Sequence, residues 1–317
     1  MKYTEIGKTG IKVSYLAMGG HEYLPDGRSR GFNEDFANAV KPGYIFDGFG
    51  GAQRKDVLKK AFDYGVNFFD VTQDSEKEAI GRNLKELGTP YEIYIQTRPE
   101  GMVYTYDENN VKMADYSQLK AEACRILKLL QRDQIDFFNI AFMKDAWKHD
   151  PDYFDKMKEN IAQLKKEGLI RFACADTFSG EETYLKQIRS GAYDVIYINF
   201  NFADDKAKRQ VFPLCKELGI GVIAREVFMK GQLFHFASEA GITDRTLVAH
   251  AAMKWLLAHD EITSLVYGSG KPHHLEDAFQ LMDHLEITDE ESLIIEKIME
   301  TSGYKAYEQQ KAEEFFQ

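Results

Sequence analysis

Residues 66–82, VNFFDVTQDSEKEAIGR, carry the group around which chemistry can be organised. The apolar run 66–69 ends in a carboxylate, Asp70. Ser75 with Glu78 three residues on has the spacing of a capping box, which predicts a helix opening there. An acid is thus delivered where a buried strand hands over to the next loop. When helices cover the strands of a sheet, such ends collect at one rim, and sites are built there. The remaining strand ends are the places to look for partners. They offer His21, Arg98, residues 139–142, Asp176 with Thr177, residues 199–201, Arg225 with Glu226, and Gly268, Ser269, Gly270 and Lys271.

Asp70 and Arg98 come from neighbouring strands and can pair. A guanidinium forks onto carboxylates or phosphates and stays charged, so Arg98 can hold an oxyanion but cannot donate a proton near neutrality. The same couple would also serve as a structural ion pair. His21 is the natural proton carrier, its unperturbed pKa lying near about 6.5. Following Gly19 and Gly20, it can equally be a loop histidine bonded to a carbonyl. Tyr44, Tyr104 and Tyr106 lie in the two longest irregular stretches and can bring a phenol over the mouth or pack a lid. Arg225 and Lys230 flank one loop, and residues 268–271, GSGK, precede a helix starting near Pro272. Free N–H groups and the helix dipole suit an anion there. Barrels commonly bind phosphate after their last two strands. His273 and His274 have no third ligand at sensible spacing, so they read as surface residues or nucleotide contacts and no metal is expected.

The elements that must position these groups follow from the rest of the chain. With 317 residues, 44% of them hydrophobic, there is ample material for a large core. No run of about 18 apolar residues appears, so no membrane span is predicted. The start, MKYTEIGKTG, lacks the apolar core of a signal peptide. Cys124, Cys174 and Cys215 read as reduced core thiols in a cytoplasmic protein. A net charge of −11 argues against nucleic acid or an anionic membrane as main partner; the partner expected is a small-molecule substrate.

Residues 2–13 read as a small hairpin, and 15–18 as a buried strand. Residues 22–52 have no period and read as a binding loop or lid. Strands are then expected at 66–69, 91–97, 135–142, 170–175, 195–200, 221–224 and 264–267. Helices are expected at 54–64, 75 onward, 116–130, 153–166, 181–190, 206–218, 247–259, 272–284 and 290–301. Eight strands each followed by a helix call for parallel pairing with right-handed crossovers. The expectation is one α/β domain over 1–317, a (β/α)8 TIM barrel with an N-terminal β-hairpin and long loops at the C-terminal rim. An open doubly wound sheet would call for GxGxxG after its first strand, and Gly19-Gly20 does not supply it. The outer helices show no unusual apolar stripe, so an oligomeric state is not legible.

At this level of detail the chain resembles the aldo-keto reductase family over nearly its whole length. The resemblance is carried by YTEIGKTGIKVSYLAMGG, GVNFFD with SEKEAIGRNL, RDQIDFFNIAF, KKEGLIRFACADTF, GVIAREVFMKGQLF and VYGSGKPHHLEDA, in that order. It implies a barrel that binds a nicotinamide nucleotide, usually NADP, and transfers hydride to aldehydes, ketones or sugars without a metal. Of that family's Asp, Tyr, Lys and His, the Asp maps to Asp70. VTQDSEK holds no tyrosine, the Lys position reads Arg98 and the His position reads Ala141. The Ser-Asn pair for the nicotinamide amide reads Asp176 and Thr177, the following Gln reads Tyr197, and the stacking residue reads Arg225. Glu226, Lys230, Gly268, Ser269, Gly270 and Asp277 lie in the two nucleotide segments. Lys271 and His274 fall where an adenosine phosphate is met, which favours NADP over NAD. The resemblance implies an NAD(P)-dependent oxidoreductase acting on a polar carbonyl or sugar-like substrate, its acid–base group rebuilt from His21 or a tyrosine such as Tyr44. The alternatives are a lyase, epimerase or dehydratase on the same barrel, or an inactive family member.

Overall fold

The computed structural model describes residues 1–104, 111–142 and 146–316. Two short strands, β1 (Tyr3–Glu5) and β2 (Lys12–Ser14), pair antiparallel as the N-terminal hairpin. Eight parallel strands follow: β3 (Leu16–Gly19), β4 (Phe68–Val71), β5 (Tyr94–Thr97), β6 (Ile135–Phe142), β7 (Ile170–Thr177), β8 (Val195–Asn199), β9 (Gly221–Arg225) and β10 (Ser264–Tyr267). They close in the order β10-β3-β4-β5-β6-β7-β8-β9. The fold is the expected (β/α)8 barrel. Its strands are mainly apolar because both faces are covered, one by the barrel interior and one by the helices, with polar residues such as Asp70 and Asp176 near their C-terminal ends.

The hairpin is part of the barrel's interior packing. Ile6, Ile11 and Val13 cluster with Phe68, Phe137, Cys174, Val195 and Ile223. A second, larger apolar layer lies between strands and helices. The three cysteines are free thiols. Among the described residues, no helix is long and apolar enough to cross a membrane.

The helices fall close to the expected places, with shifts at their ends. The segment expected at 206–218 is a 3-10 turn, Lys206–Lys208, followed by the helix Val211–Leu218. A last helix, Ser302–Phe316, was not expected. Only Tyr304 and Phe315 of it are buried, so its sequence carries almost no apolar period. The aperiodic stretch 22–52 holds one short helix, Phe36–Ala39, and an isolated bridge between Tyr23 and Ser29.

Candidate active site

Asp70 sits one residue from the end of β4, in register with Gly19 of β3 and Gln96 of β5. The strand order puts β8 across the barrel from β4, and from there Tyr197 points its phenol at Asp70. Tyr197 Oη donates to Asp70 Oδ2 at 2.5 Å. Asp70 Oδ1 is buried with no hydrogen-bond partner among the described residues. Burial pushes the Asp70 carboxyl up to about 6, although the Tyr197 bond and the nearby charges of Arg98 and His21 pull the other way.

The expected pairing of Asp70 with Arg98 does not occur. Arg98 turns to Glu100, two residues on, with Nε bonded to Oε2 and Nη2 to Oε1 at 3.0 Å. Its Nη1 also lies 3.6 Å from Asp176 Oδ2. Glu100 opens the short helix Glu100–Tyr104 and competes successfully because it is local and fully buried. The ion-paired centre of the rim is therefore Asp176, not Asp70.

Asp176 is completely buried near the end of β7. Arg225 of β9 holds it with two bonds, Nη1 to Oδ2 at 2.8 Å and Nη2 to Oδ1 at 2.9 Å. Burial pushes the Asp176 carboxyl up, and the two guanidiniums pull it back only in part. Arg225 Nε donates to Asn199 Oδ1 at 2.5 Å, and its plane lies 4.9 Å over the Tyr197 ring and 5.6 Å over the Phe178 ring. With both oxygens engaged, Asp176 is not free to grip an amide as the resemblance implied. Thr177 accepts a bond from Ser179 N at 2.9 Å. Tyr197, expected at a nucleotide ring, is committed to Asp70 instead. Ala141 lies opposite Asp176 in the β6–β7 register.

His21 follows β3 and meets a carboxylate the sequence analysis did not single out. His21 Nδ1 lies 2.7 Å from Glu76 Oε1. Glu76 also accepts from Thr72 N at 2.9 Å, Thr72 Oγ1 at 3.2 Å and Gln73 Nε2 at 2.8 Å. Burial would raise the Glu76 carboxyl, but His21 and these donors hold it down at about 2. For His21, burial works against the charged ring, yet Glu76 and Asp70 outweigh it and the pKa is raised. The partner is thus an acid, not the backbone carbonyl considered from sequence. Gly20 makes the approach feasible: a Cβ there would meet Asp70 O at 2.6 Å and Glu76 Oε2 at 2.8 Å.

The capping box expected at Ser75 is absent. The helix Asp74–Leu87 has Gln73 at its N-cap with no side-chain cap bond. Ser75 Oγ instead accepts from Phe46 N at 2.9 Å, and Glu78 pairs with Arg82 at 3.0 Å. Helical spacing could have found Glu76. It lies four residues after Thr72 and three after Gln73, so one turn brings it back over the strand end.

Aromatic rings line the approach. Phe32 meets His21 edge-on at 5.5 Å, Phe36 meets Tyr104 at 5.3 Å, and Tyr104 lies 6.5 Å from Phe178. Tyr44 is not among them. Its ring packs against Phe46 at 4.9 Å and its hydroxyl makes no hydrogen bond among the described residues. Tyr106 lies outside the described residues.

On the far side of the rim, Glu226 and Lys230 adopt left-handed backbone (φ 63° and 54°) and face each other at 3.4 Å. Lys230 is well exposed. Ser269 Oγ bonds Lys271, donating to its carbonyl at 2.8 Å and accepting from its N–H at 3.2 Å. Tyr23 lies against Gly268 and Gly270. The helix Pro272–Gln280 begins with proline and has no side-chain cap. Lys271 and His274 are exposed beside it, with Asp277 half-buried one turn on. Exposed ammonium groups beside an uncapped helix start fit the phosphates of a nucleotide.

The Aldo/keto reductase family model matches residues 47–246 of this chain. NADH-specific methylglyoxal reductase of Escherichia coli is 26% identical over 180 residues, so the chain spans about half the length of that relative (54%) and 53% of itself is matched. Aldo-keto reductase YhdN of Bacillus subtilis is 21% identical over 87% of both chains. Among solved structures, an aldo-keto reductase from Bacillus halodurans in its holo form superposes with a TM-score of 0.69 at 19% identity, covering 94% of this chain and 96% of that one. The closed barrel, the hairpin beneath it and the family match over most of the strands lead to one conclusion: this chain belongs to the aldo/keto reductase family.

Proposed function

We propose that the protein is a cytoplasmic nicotinamide-nucleotide-dependent oxidoreductase that reduces a small polar carbonyl compound or sugar-like substrate, with His21 as the proton donor. The observation that carries this is the His21–Glu76 pair, held at 2.7 Å beside Asp70 with the imidazole edge still 37% exposed. Aldo-keto reductases use nicotinamide nucleotides, and a relative is named for reducing methylglyoxal, a small carbonyl compound. That relative is also named as NADH-specific, so NAD remains an alternative to the NADP that Lys271 and His274 favour. The family's tyrosine has no counterpart at its usual place, and Arg98 and Ala141 stand at two other positions of the set.

A bound reduced nicotinamide supplies the hydride that goes to the carbonyl carbon. The rest falls to this chain. His21, protonated and braced by Glu76, gives its proton to the carbonyl oxygen as charge builds there. The atoms balance: carbonyl, hydride and proton give an alcohol, and neutral His21 is reprotonated from solvent through its exposed edge. Positioned acid catalysis of this kind contributes about 10²–10⁴-fold. Asp70 stabilises the imidazolium through its negative charge. Phe32, Phe36, Tyr104 and Phe178 give the approach an aromatic lining.

The test is fluorescence titration with NADPH and NADH. Saturable binding of at least one is expected. No binding of either at millimolar concentration would sink the proposal. A second reading, a lyase, epimerase or dehydratase, is favoured by the Asp176–Arg225 pair, which leaves no free polar pair for the carboxamide at 176–177. Turnover that leaves bound nucleotide unchanged would identify it.

A further inference from the structure

Tyr197 supplies the one hydrogen bond that the Asp70 carboxylate makes among the described residues. It is 1% exposed and packs in the barrel interior with Phe68, Phe137 and Cys174. Arg225 lies over its ring. A phenol at that depth cannot touch a substrate at the mouth. Burial and the Asp70 charge push its own pKa further up, so it is not an acid either. Its bond joins opposite strands of the barrel, β8 and β4, and ends on an oxygen whose twin has no partner among the described residues.

We propose that Tyr197 is a positioning residue: by fixing Asp70 as a carboxylate, it keeps His21 in the protonated form that donates to substrate. This rests on the proton-transfer role given to His21 above. No covalent bond changes at Tyr197; its proton stays in the hydrogen bond. The groups facing Asp70 are Tyr197 from β8, Arg98 after β5, His21 after β3 and Glu76 of the helix Asp74–Leu87. Those facing His21 are Glu76, Asp70 and Arg98. Arg98 is held by Glu100 through Nε and Nη2, and its Nη1 lies 3.6 Å from Asp176, so it acts on Asp70 as a nearby charge and makes no hydrogen bond to it among the described residues. Without the hydroxyl, both Asp70 oxygens would be buried and unpartnered. That state favours the neutral acid. A neutral Asp70 withdraws one of the two carboxylates that hold the imidazolium.

The test compares wild type with Tyr197→Phe by NMR titration of the His21 ring, a readout that needs no nucleotide. In the variant, the Asp70 midpoint is expected to move above its wild-type value of about 6. His21 is expected to titrate lower by about half a unit or more. Asp70→Asn, which mimics the neutral acid, is expected to move His21 the same way. Adding Tyr197→Phe to it should give no further shift. An unchanged His21 titration in Asp70→Asn overturns the proposal, even if Tyr197→Phe does not fold. So does a folded Tyr197→Phe whose His21 titrates as in wild type. NADPH binding is read separately by fluorescence. Absence of binding of both NADPH and NADH would end the oxidoreductase reading, while a His21 shift would still support Tyr197's part.

Discussion

Glu76 sets the charge state of the site. It is buried, it accepts four bonds, and one of them comes from the only imidazole at this part of the rim among the described residues. Replacing it by glutamine keeps the shape and removes the charge. His21 then loses its largest upward influence and is left with burial, which disfavours the imidazolium. Glu76→Gln is expected to move the alkaline limb of the rate–pH profile down by about one unit, because His21, the proposed proton donor, is deprotonated at lower pH. The same pair governs stability. The Glu76 carboxyl is depressed from about 4.5 to about 2, so its contribution is present above pH 4.5 and lost as pH falls towards 2. His21 is raised above 6.5, so its contribution is present below pH 6.5 and lost as pH rises through the folded value. Urea unfolding of wild type at pH 3, 5.5 and 8 is expected to peak at the middle value. Glu76→Gln should flatten the acid side of that curve; equal acid sensitivity in both proteins would refute the assignment.

One helix, Asp74–Leu87, orders the long stretch 22–52. Gln73, the residue before it, donates to Arg30 O, Asp74 accepts from Gly43 N, Ser75 from Phe46 N, and Arg82 and Asn83 donate to Phe49 O and Gly50 O. The insert is thus stitched along a helix that belongs to the barrel's second unit. The strands were legible in the sequence because an apolar run buried on both faces needs no partner to be recognised. The insert was not, because its order comes from side chains of another element. For the same reason Ser75 suggested a cap while it serves a loop backbone instead. Gly31 is the tightest stitch. Its φ is +73°, and a Cβ there would meet Gln73 Oε1 at 2.0 Å. Gly31→Ala is expected to cost about 1–3 kcal/mol in thermal unfolding and to open 22–52 to limited proteolysis. A variant as stable and as resistant as wild type would show that the insert is held elsewhere.

At the scale of the whole molecule, barrel closure sets which strand ends meet, and this separates what was legible from what was not. The rim positions could be named from sequence, since each follows an apolar run. Their pairings could not: Asp70 and Tyr197 are 127 residues apart and meet only because β4 and β8 face each other across the ring. Closure also decides where an anion can bind on a chain carrying a net charge of −11. The overall field repels a nucleotide, so affinity must come from local cations. Lys230 is shared with Glu226 at 3.4 Å, whereas Lys271 stands at the start of an uncapped helix. On the proposed function, Lys271 is the group that would distinguish the phosphate that NADP carries and NAD lacks. Lys271→Ala is expected to weaken NADPH binding about tenfold, roughly 1.4 kcal/mol, and to leave NADH within about twofold. On the proposed NADP reading, a preference for NADPH is expected and should shrink as salt is raised, because an exposed ammonium–phosphate contact is screened within about 10 Å at 0.1 M. Fluorescence titrations at two ionic strengths measure both effects. Equal losses for the two nucleotides would move Lys271 to the pyrophosphate they share, and no loss for either would remove it from the binding surface.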